Sequence, residues 1–254
     1  MYSVIIPSIG RLAFLNELLN SIFIQSLKPK EVLLLLEDNL HCREISKKLH
    51  KAEKCKIVYC KNLNLAQMRN YGASLANSDF LLYSDDDDIW NIDKAKYVIE
   101  SLKNSQVVTH DFTKFGSNTQ KQRYLLGRFK KKVSLSSLIQ GTNIYGGGSS
   151  ICVRKNILSS IPFNKDLNYC EDYEWWTRLL IADVKIEYIP KPLVKYRTHN
   201  KNMTSRIFIT SNFKLMVILK LFQKGVILLI GSSVFFIKTL ISLAINILFL
   251  NFKK

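Results

Sequence analysis

The chain has 254 residues, 47% of them hydrophobic, with only 10 Gly and 5 Pro, which provides for one full core and excludes a disordered, collagenous or low-complexity chain. Lys and Arg number 37 against 20 Asp and Glu, a net charge of +17, and 11 of the basic residues lie beyond Glu187, the last acid. A tail that is both basic and apolar points to an anionic membrane surface and away from nucleic acid, where basic and polar residues would interleave without long aliphatic runs.

Along the chain, residues 2–6 form a short apolar run ended by Pro7, and Arg11 to Ile24 carries Leu12, Leu15, Leu18, Leu19, Ile22 and Phe23 at helical spacing. That predicts strand, loop and helix. Glu31 to Leu36 is a continuous apolar run of the kind buried on both faces of a parallel sheet, and it ends in Glu37-Asp38. Lys56 to Cys60 reads as a third strand, Leu65 to Ala76 as a helix, and Phe80 to Tyr83 as a fourth strand running into Asp85-Asp86-Asp87-Asp88. Strands alternating with helices imply a parallel sheet with right-handed crossovers, whose ligands sit outside the carboxyl ends of the strands. Pro7-Ser8, Glu37-Asp38 and the four aspartates all fall there. From about residue 107 the elements are shorter: Val107 to His110, a basic stretch from Lys114 to Lys132, Gly146-Gly147-Gly148, and a helix from about Asp172 to Ile181. This half is expected to form the other wall of the cleft.

Two further features bound the environment. The five cysteines are odd in number and lack CxxC spacing, so they read as reduced core thiols rather than as disulfides or a zinc site. The opening Tyr2-Ser-Val-Ile-Ile-Pro7 has neither a basic leader nor an apolar stretch of signal-peptide length, so secretion is not expected.

Four successive aspartates can be a solvated acidic loop, but here Phe80-Leu-Leu-Tyr83 precedes them and Ile89-Trp90 follows, which is poor company for free solvation. Carboxylates at i and i+2 beyond a strand end can instead hold a hard divalent cation while phosphate oxygens complete its shell. A nucleotide-diphosphate ligand is the working expectation from that chemistry.

The ordered set Val4-Ile-Ile-Pro7, Leu12 to Gln25, Glu31 to Glu37, Asn64-Leu-Ala-Gln-Met-Arg69-Asn70-Tyr-Gly72, Asp85 to Trp90, Gly147-Gly148-Ser149, Cys170-Glu171-Asp172-Tyr-Glu-Trp175-Trp176-Thr-Arg178 and Tyr196-Arg197-Thr-His199 resembles family 2 glycosyltransferases with a GT-A fold. The resemblance covers roughly residues 2–205. It implies an α/β fold with a Rossmann-like, mainly parallel nucleotide-binding half and an acceptor-side half. It also implies an inverting, metal-dependent transfer from a nucleotide-diphosphate sugar, a UDP-sugar first among them. Asp85-Asp86-Asp87 would be the DxD element, with Asp85 and Asp86 on the donor side and Asp87 the Mn or Mg ligand. Pro7, Glu37 and Arg69 would face the nucleotide, and His199 would close over the diphosphate and share the metal. Asp172 would be the catalytic base, with Gly147, Gly148, Glu171, Trp175 and Trp176 on the acceptor side. Ser8-Ile9-Gly10 and Glu37 depart from the family's commoner Thr-Tyr-Asn and Asp, which bears on the nucleoside.

Inverting displacement independently asks for one carboxylate to take the acceptor's proton and one cation to offset charge on the leaving diphosphate. The bland alternatives remain open: Arg69 a surface charge, His199 an ordinary loop histidine, Gly146 to Gly148 a flexible turn, and Lys114 to Lys132 a solvated loop rather than one facing lipid diphosphate. Trp175 and Trp176 read as core and cleft wall rather than as a cofactor platform, with at least one of them near the sugar or acceptor.

The expected layout is residues 1–205 as a GT-A domain, about 1–110 for the nucleotide-sugar half and about 111–205 for the acceptor half, followed by a membrane-associating helical tail over 206–254. Gly225 to Leu250 is long enough to span a bilayer, but Lys238 falls near its middle at a cost of roughly 2.5–3.5 kcal/mol. Lys238, Ser242 and Asn246 make one polar stripe, which favours helices lying in the interface over a single transmembrane helix. The expected function is extension of a lipid-linked glycan in surface polysaccharide assembly, such as lipopolysaccharide or capsule, at the cytoplasmic face of the cell membrane. A metal-dependent nucleotidyltransferase and a catalytically silent membrane adaptor are the alternatives. The first would want a Gly-rich phosphate loop that Gly10 alone does not supply.

Overall fold

The computed structural model describes residues 1–116 and 147–199. In chain order the elements are β1 (Tyr2–Ser8), α1 (Leu12–Phe23), β2 (Glu31–Glu37), α2 (Leu40–Lys48), β3 (Lys56–Cys60), α3 (Leu65–Leu75), β4 (Phe80–Tyr83), β5 (Ile89–Trp90), α4 (Lys94–Leu102), β6 (Val107–Gly116), β7 (Cys152–Arg154), α5 (Lys155–Ser160), α6 (Glu171–Ile181) and β8 (Ile186–Thr198), with short 3-10 turns at Ala52–Lys54 and Gly148–Ser150. The strands join one sheet in the order β3-β2-β1-β4-β7-β6-β8-β5. β3, β2, β1 and β4 run parallel, β7 is antiparallel to both β4 and β6, and β8 is parallel to β6.

The period-2 alternation of a strand decides which core each residue serves. Ile5, Leu33 and Leu35 join Ala66, Met68 and Ala73 of α3 and Trp175 and Trp176 of α6 on one face. Val4, Ile6, Leu34 and Leu36 join Leu15, Leu18 and Leu19 of α1 and Val98 and Leu102 of α4 on the other. Covered on both faces, β2 can read as unbroken leucine, and each such fully buried side chain contributes about 1.5–3 kcal/mol. α3 starts at a reciprocal cap, since Asn64 accepts from the Gln67 N–H while the Gln67 side chain accepts from the Asn64 N–H. It then lies so close to the sheet that a Cβ on Gly72 would meet Cγ2 of Ile5 at 2.5 Å.

β1 does not end before Pro7, as its apolar run suggests, but continues through it to Ser8. Ile5 faces β4, whose continuation at Ser84 donates to its carbonyl at 3.0 Å, and Pro7, two residues on, faces the same side beyond the last β1–β4 pair, Ile5 with Tyr83. A missing N–H costs nothing there. α2, β5, α4 and β8 have no counterpart in the sequence reading, and β6 runs on to Gly116, taking in Lys114. β8 carries Pro190 and Pro192 and several charges, and its pairing with β6 is interrupted by a register shift around Asp111. Neither a period nor an apolar run survives that.

Gly146, the basic stretch beyond Gly116 and the tail over 206–254 lie outside the described residues. Among the described residues no helix is long and apolar enough to cross a membrane. All five cysteines are free thiols.

Candidate functional site

β1, β4 and β8 end on the same rim. The acidic run after β4 is not a solvated loop: Asp86, Asp87 and Asp88 are buried, Asp85 turns to one arginine, Asp86 and Asp87 share another, and Asp88 accepts from the backbone. Asp85, whose side chain is 28% exposed, takes Nη2 of Arg69 at 3.0 Å. Asp86 accepts from Ser8 Oγ at 2.5 Å and from Nη2 of Arg11. Asp87 faces Nη1 of Arg11 at 2.9 Å and Nε2 of His199 at 3.0 Å. Asp88 turns inward and accepts from the Arg197 N–H at 3.0 Å. Burial pushes the Asp87 carboxyl up; Arg11 opposes this and the charges of Asp85 and Asp86 add to it. Burial pushes Asp88 well above the carboxylate range, reinforced by Asp85 and Asp87.

Arg11 comes from the turn before α1, where Gly10 sits at φ 83 and its N–H donates to Ser8 Oγ at 2.9 Å. One helical turn on, the ring of Phe14 stacks on His199 with centroids 5.4 Å apart. Arg197 lies over the same ring at 4.4 Å, pairs with Glu17 at 2.7 Å and donates from Nε to the Asp87 carbonyl at 2.8 Å. The end of β8 is thereby tied to α1 and to the backbone of the acidic run.

The second cluster centres on Arg69. Its residue is 1% exposed, its guanidinium bridges Asp85 and Glu171, and its carbonyl accepts from the Tyr83 hydroxyl at 3.1 Å. Arg69 therefore faces carboxylates, not solvent, and anything it does to a ligand passes through Asp85. Glu171 and Asp172 occupy the first turn of α6, which the chain enters through Cys170 at φ 57. Glu171 is buried against Arg69, while Asp172 is partly exposed. Burial pushes the Asp172 carboxyl up to about 7, with the Glu171 charge adding to the push and Arg69 opposing it. A carboxylate poised there suits proton abstraction near neutrality.

Behind the rim a buried network fixes the acidic run. Lys94, fully buried over the Trp90 ring at 3.7 Å, donates to the Ser149 carbonyl at 2.7 Å, and Ser149 Oγ accepts from the Asp85 N–H at 2.9 Å. Burial lowers Lys94 to about 8 and, with the Lys94 charge beside it, lowers His110 to about 3. Lys94, Ser149 and His110 carry no sequence signal of this role, because the bonds through Ser149 join residues 55 and 64 positions apart along the chain.

The remaining residues singled out from sequence fall as follows. Pro7 lies buried in β1 directly before Ser8, and Glu37 lies at the end of β2, where its Oε2 accepts from Asn39 Nδ2 at 3.1 Å. Gly147 and Gly148 abut Asp85: a Cβ on Gly148 would collide with both the Asp85 carboxylate and the Arg69 guanidinium. The need for glycine is set by the acidic run, not by turn flexibility. Trp175 and Trp176 are both 0% exposed, with Nε1 of Trp175 donating to the Ile161 carbonyl at 2.7 Å, so neither lines an open acceptor surface. Their helix buries its apolar face against the sheet, and both rings belong to that face. Arg11 was missed as a site residue. The signal was its place beside Gly10 at the end of β1.

Among the described residues no group of three or more His, Cys, Asp and Glu is placed to hold a metal ion. Two donors nevertheless have the chemistry such an ion takes: Asp87 Oδ2 and His199 Nε2, a carboxylate oxygen and an imidazole nitrogen, lie 3.0 Å apart at the rim, although the Arg11 guanidinium stands against both.

The family model described as glycosyl transferase family 2 matches residues 3–160. An uncharacterised glycosyltransferase of Methanocaldococcus jannaschii is 24% identical over 206 residues, covering 76% of this chain and 69% of that protein. Among solved structures, S. aureus TarS 1–349 in complex with UDP-GlcNAc superposes with a TM-score of 0.65 at 20% identity, covering 86% of this chain and 66% of that one. The mannosyltransferase PcManGT from Pyrobaculum calidifontis, in complex with GDP-Man and Mn2+, superposes with a TM-score of 0.64 at 12% identity, covering 87% and 64%. At these identities the two structures bear on the fold, which is the α/β GT-A arrangement. The chain spans about two thirds of the length of the proteins it matches.

Proposed function

This chain belongs to glycosyl transferase family 2, and from that premise we propose that it transfers a sugar, with inversion, from a nucleotide-diphosphate sugar to an acceptor hydroxyl. The observation that carries the reading is Asp172, partly exposed, with its carboxyl near 7 and beside the Arg69–Asp85 pair that leads into the acidic rim.

Asp172 takes the acceptor proton, the acceptor oxygen bonds to the anomeric carbon, and the bond from that carbon to the diphosphate oxygen breaks with its electron pair leaving on the nucleoside diphosphate. Glu171 is held by Arg69 and does not compete for the proton. Asp87 and His199 would hold a divalent cation, Mn or Mg, which when bound offsets the charge of the leaving diphosphate. Asp86 stays with Ser8 and keeps the rim in register with the end of β1. UDP-sugars and GDP-sugars are the donors to test first, since TarS is described with UDP-GlcNAc and PcManGT with GDP-Man.

A lipid-linked glycan acceptor at the cytoplasmic face of a membrane is the further part of this reading. Its support is the charge arithmetic: 11 basic and no acidic residues follow Glu187, amid long aliphatic runs. A panel of nucleotide sugars, assayed for transfer and hydrolysis with Mn, with Mg and with EDTA, tests the enzyme. One donor is expected to turn over with metal alone, and Asp87→Asn is expected to abolish its metal-dependent binding in calorimetry. Unchanged donor affinity of that variant in Mn would remove the metal assignment, and a panel without turnover or binding would leave a membrane adaptor.

A further inference from the structure

We propose that Arg11 is a built-in counter-cation that a divalent metal must expel from Asp87 and His199, so that the empty-handed protein is held in a self-neutralised state. This rests on the metal reading above and adds a competitor to it.

Three contacts define the position. Nη1 of Arg11 lies 2.9 Å from Asp87 Oδ2 and 3.1 Å from His199 Nε2, and those two atoms are 3.0 Å from each other. One cationic nitrogen thus stands against both of the donors a metal would use. With Nε2 protonated, His199 and Arg11 both donate to Asp87 Oδ2, so two N–H donors share one acceptor oxygen. With Nε2 bare, Nη1 of Arg11 can donate to it and to Asp87, and the lone pairs of ring nitrogen and carboxylate then face each other unbridged. A divalent cation would take that carboxylate oxygen and the bare Nε2 together, so it competes with Arg11 for the same two atoms.

Arg11 is also built to leave. Its side chain is 26% exposed, against 2% for Arg69, and its Nε is buried without an acceptor among the described residues. Its fork is divided between Asp86 and Asp87 instead of gripping one carboxylate with both arms. Its carbonyl accepts the first hydrogen bond of α1, from the Leu15 N–H at 2.9 Å, but its side chain takes no part in the cap, so the guanidinium can swing away with the helix intact.

The test measures Mn2+ binding by electron paramagnetic resonance, without donor, for the wild-type chain, Arg11→Gln, Arg11→Lys and Asp87→Asn, and repeats it with UDP and with GDP. Arg11→Gln is expected to bind Mn2+ alone about ten-fold or more tightly than wild type, and Arg11→Lys to fall between, since an ammonium cannot bridge two carboxylates in the same plane. In thermal melts Arg11→Gln is expected to lose stability in EDTA and to recover more on adding Mn2+ than wild type does. If Asp87→Asn abolishes Mn2+ binding but both Arg11 variants bind it as wild type does, or more weakly, the competition is refuted and the metal site stands. If no variant binds Mn2+ with either nucleotide, the metal reading falls and this proposal with it. Should Arg11→Gln not fold, Arg11→Lys carries the same comparison.

Discussion

The two arginine clusters use the same ions and differ in what surrounds them. Arg69 is 1% exposed, bridges Asp85 and Glu171, and has its own carbonyl held by the Tyr83 hydroxyl. Arg11 bridges Asp86 and Asp87 from a turn that precedes a helix, with a quarter of its side chain in solvent. A buried, doubly paired guanidinium cannot leave without stranding charge, whereas a quarter-exposed one has a way out to solvent and can leave when another cation takes its place beside the buried Asp86 and Asp87. The acidic run is therefore firmly held at Asp85 and exchangeably held at Asp86 and Asp87, and Asp172 on α6, the proposed base, lies beside the firmly held part.

The sharpest break in that comparison lies at Asp172. Asp172→Asn is expected to lower transfer by about two to four orders of magnitude with donor affinity retained, because it removes the proton acceptor and leaves the Arg69 pairs in place. With the wild-type carboxyl near 7, kcat/KM is expected to rise with pH through about 7 and level off above it. The same group makes the opposite contribution to stability. The folded chain keeps a proton that the unfolded chain releases near 3.8, so stability falls as pH rises from about 4 to about 7, and Asp172→Asn is expected to flatten that slope. A pH-independent rate, or a larger loss of turnover in Glu171→Gln at unchanged donor affinity, would move the base elsewhere.

Arg69→Met comes next and concerns the fold. It leaves Glu171 and Asp85 without their shared cation, and a loss of about 3–5 kcal/mol in denaturant unfolding is expected. A loss under 1 kcal/mol would mean that the buried cluster is no more fixed than the solvated one. Gly148→Ala is the smallest: its Cβ meets both Asp85 and Arg69, so a cost of about 1–3 kcal/mol is expected with donor affinity reduced in step. Retained affinity at that stability cost would show that Asp85 tolerates displacement.

What the sequence disclosed follows from range. β1 to β4 and α1 and α3 were legible because each is specified by its own residues: an unbroken apolar run, a 3.6 period, or the Asn64–Gln67 cap. The acidic run, Glu171-Asp172 and His199 were legible as motifs, yet their pairing was not. Nothing local says that Arg11 meets His199 across 188 residues, that Arg69 meets Glu171 across 102, or that Lys94 props Ser149 across 55. The tryptophans were legible as core, where both lie, but not as acceptor-side residues, since a motif beside an acidic pair does not say which face of its helix turns inward. β8 was lost to its prolines and to a register shift that only its partner β6 accommodates.

β8 has one more consequence, which lies in time. His199 follows its last residue and is 112 positions from Asp87, so a ribosome adding about 5–20 residues per second makes the acidic run roughly 6–22 s before the side chain that completes the rim. Through most of that interval the nascent chain carries four neighbouring carboxylates with Arg11, Arg69 and Lys94 as the cations of the rim already made, and without the complete strand that ties the rim to α1. Arg11 is made long before His199, so the early half of the chain carries its own partner for Asp86 and Asp87 and does not depend on the last strand for one.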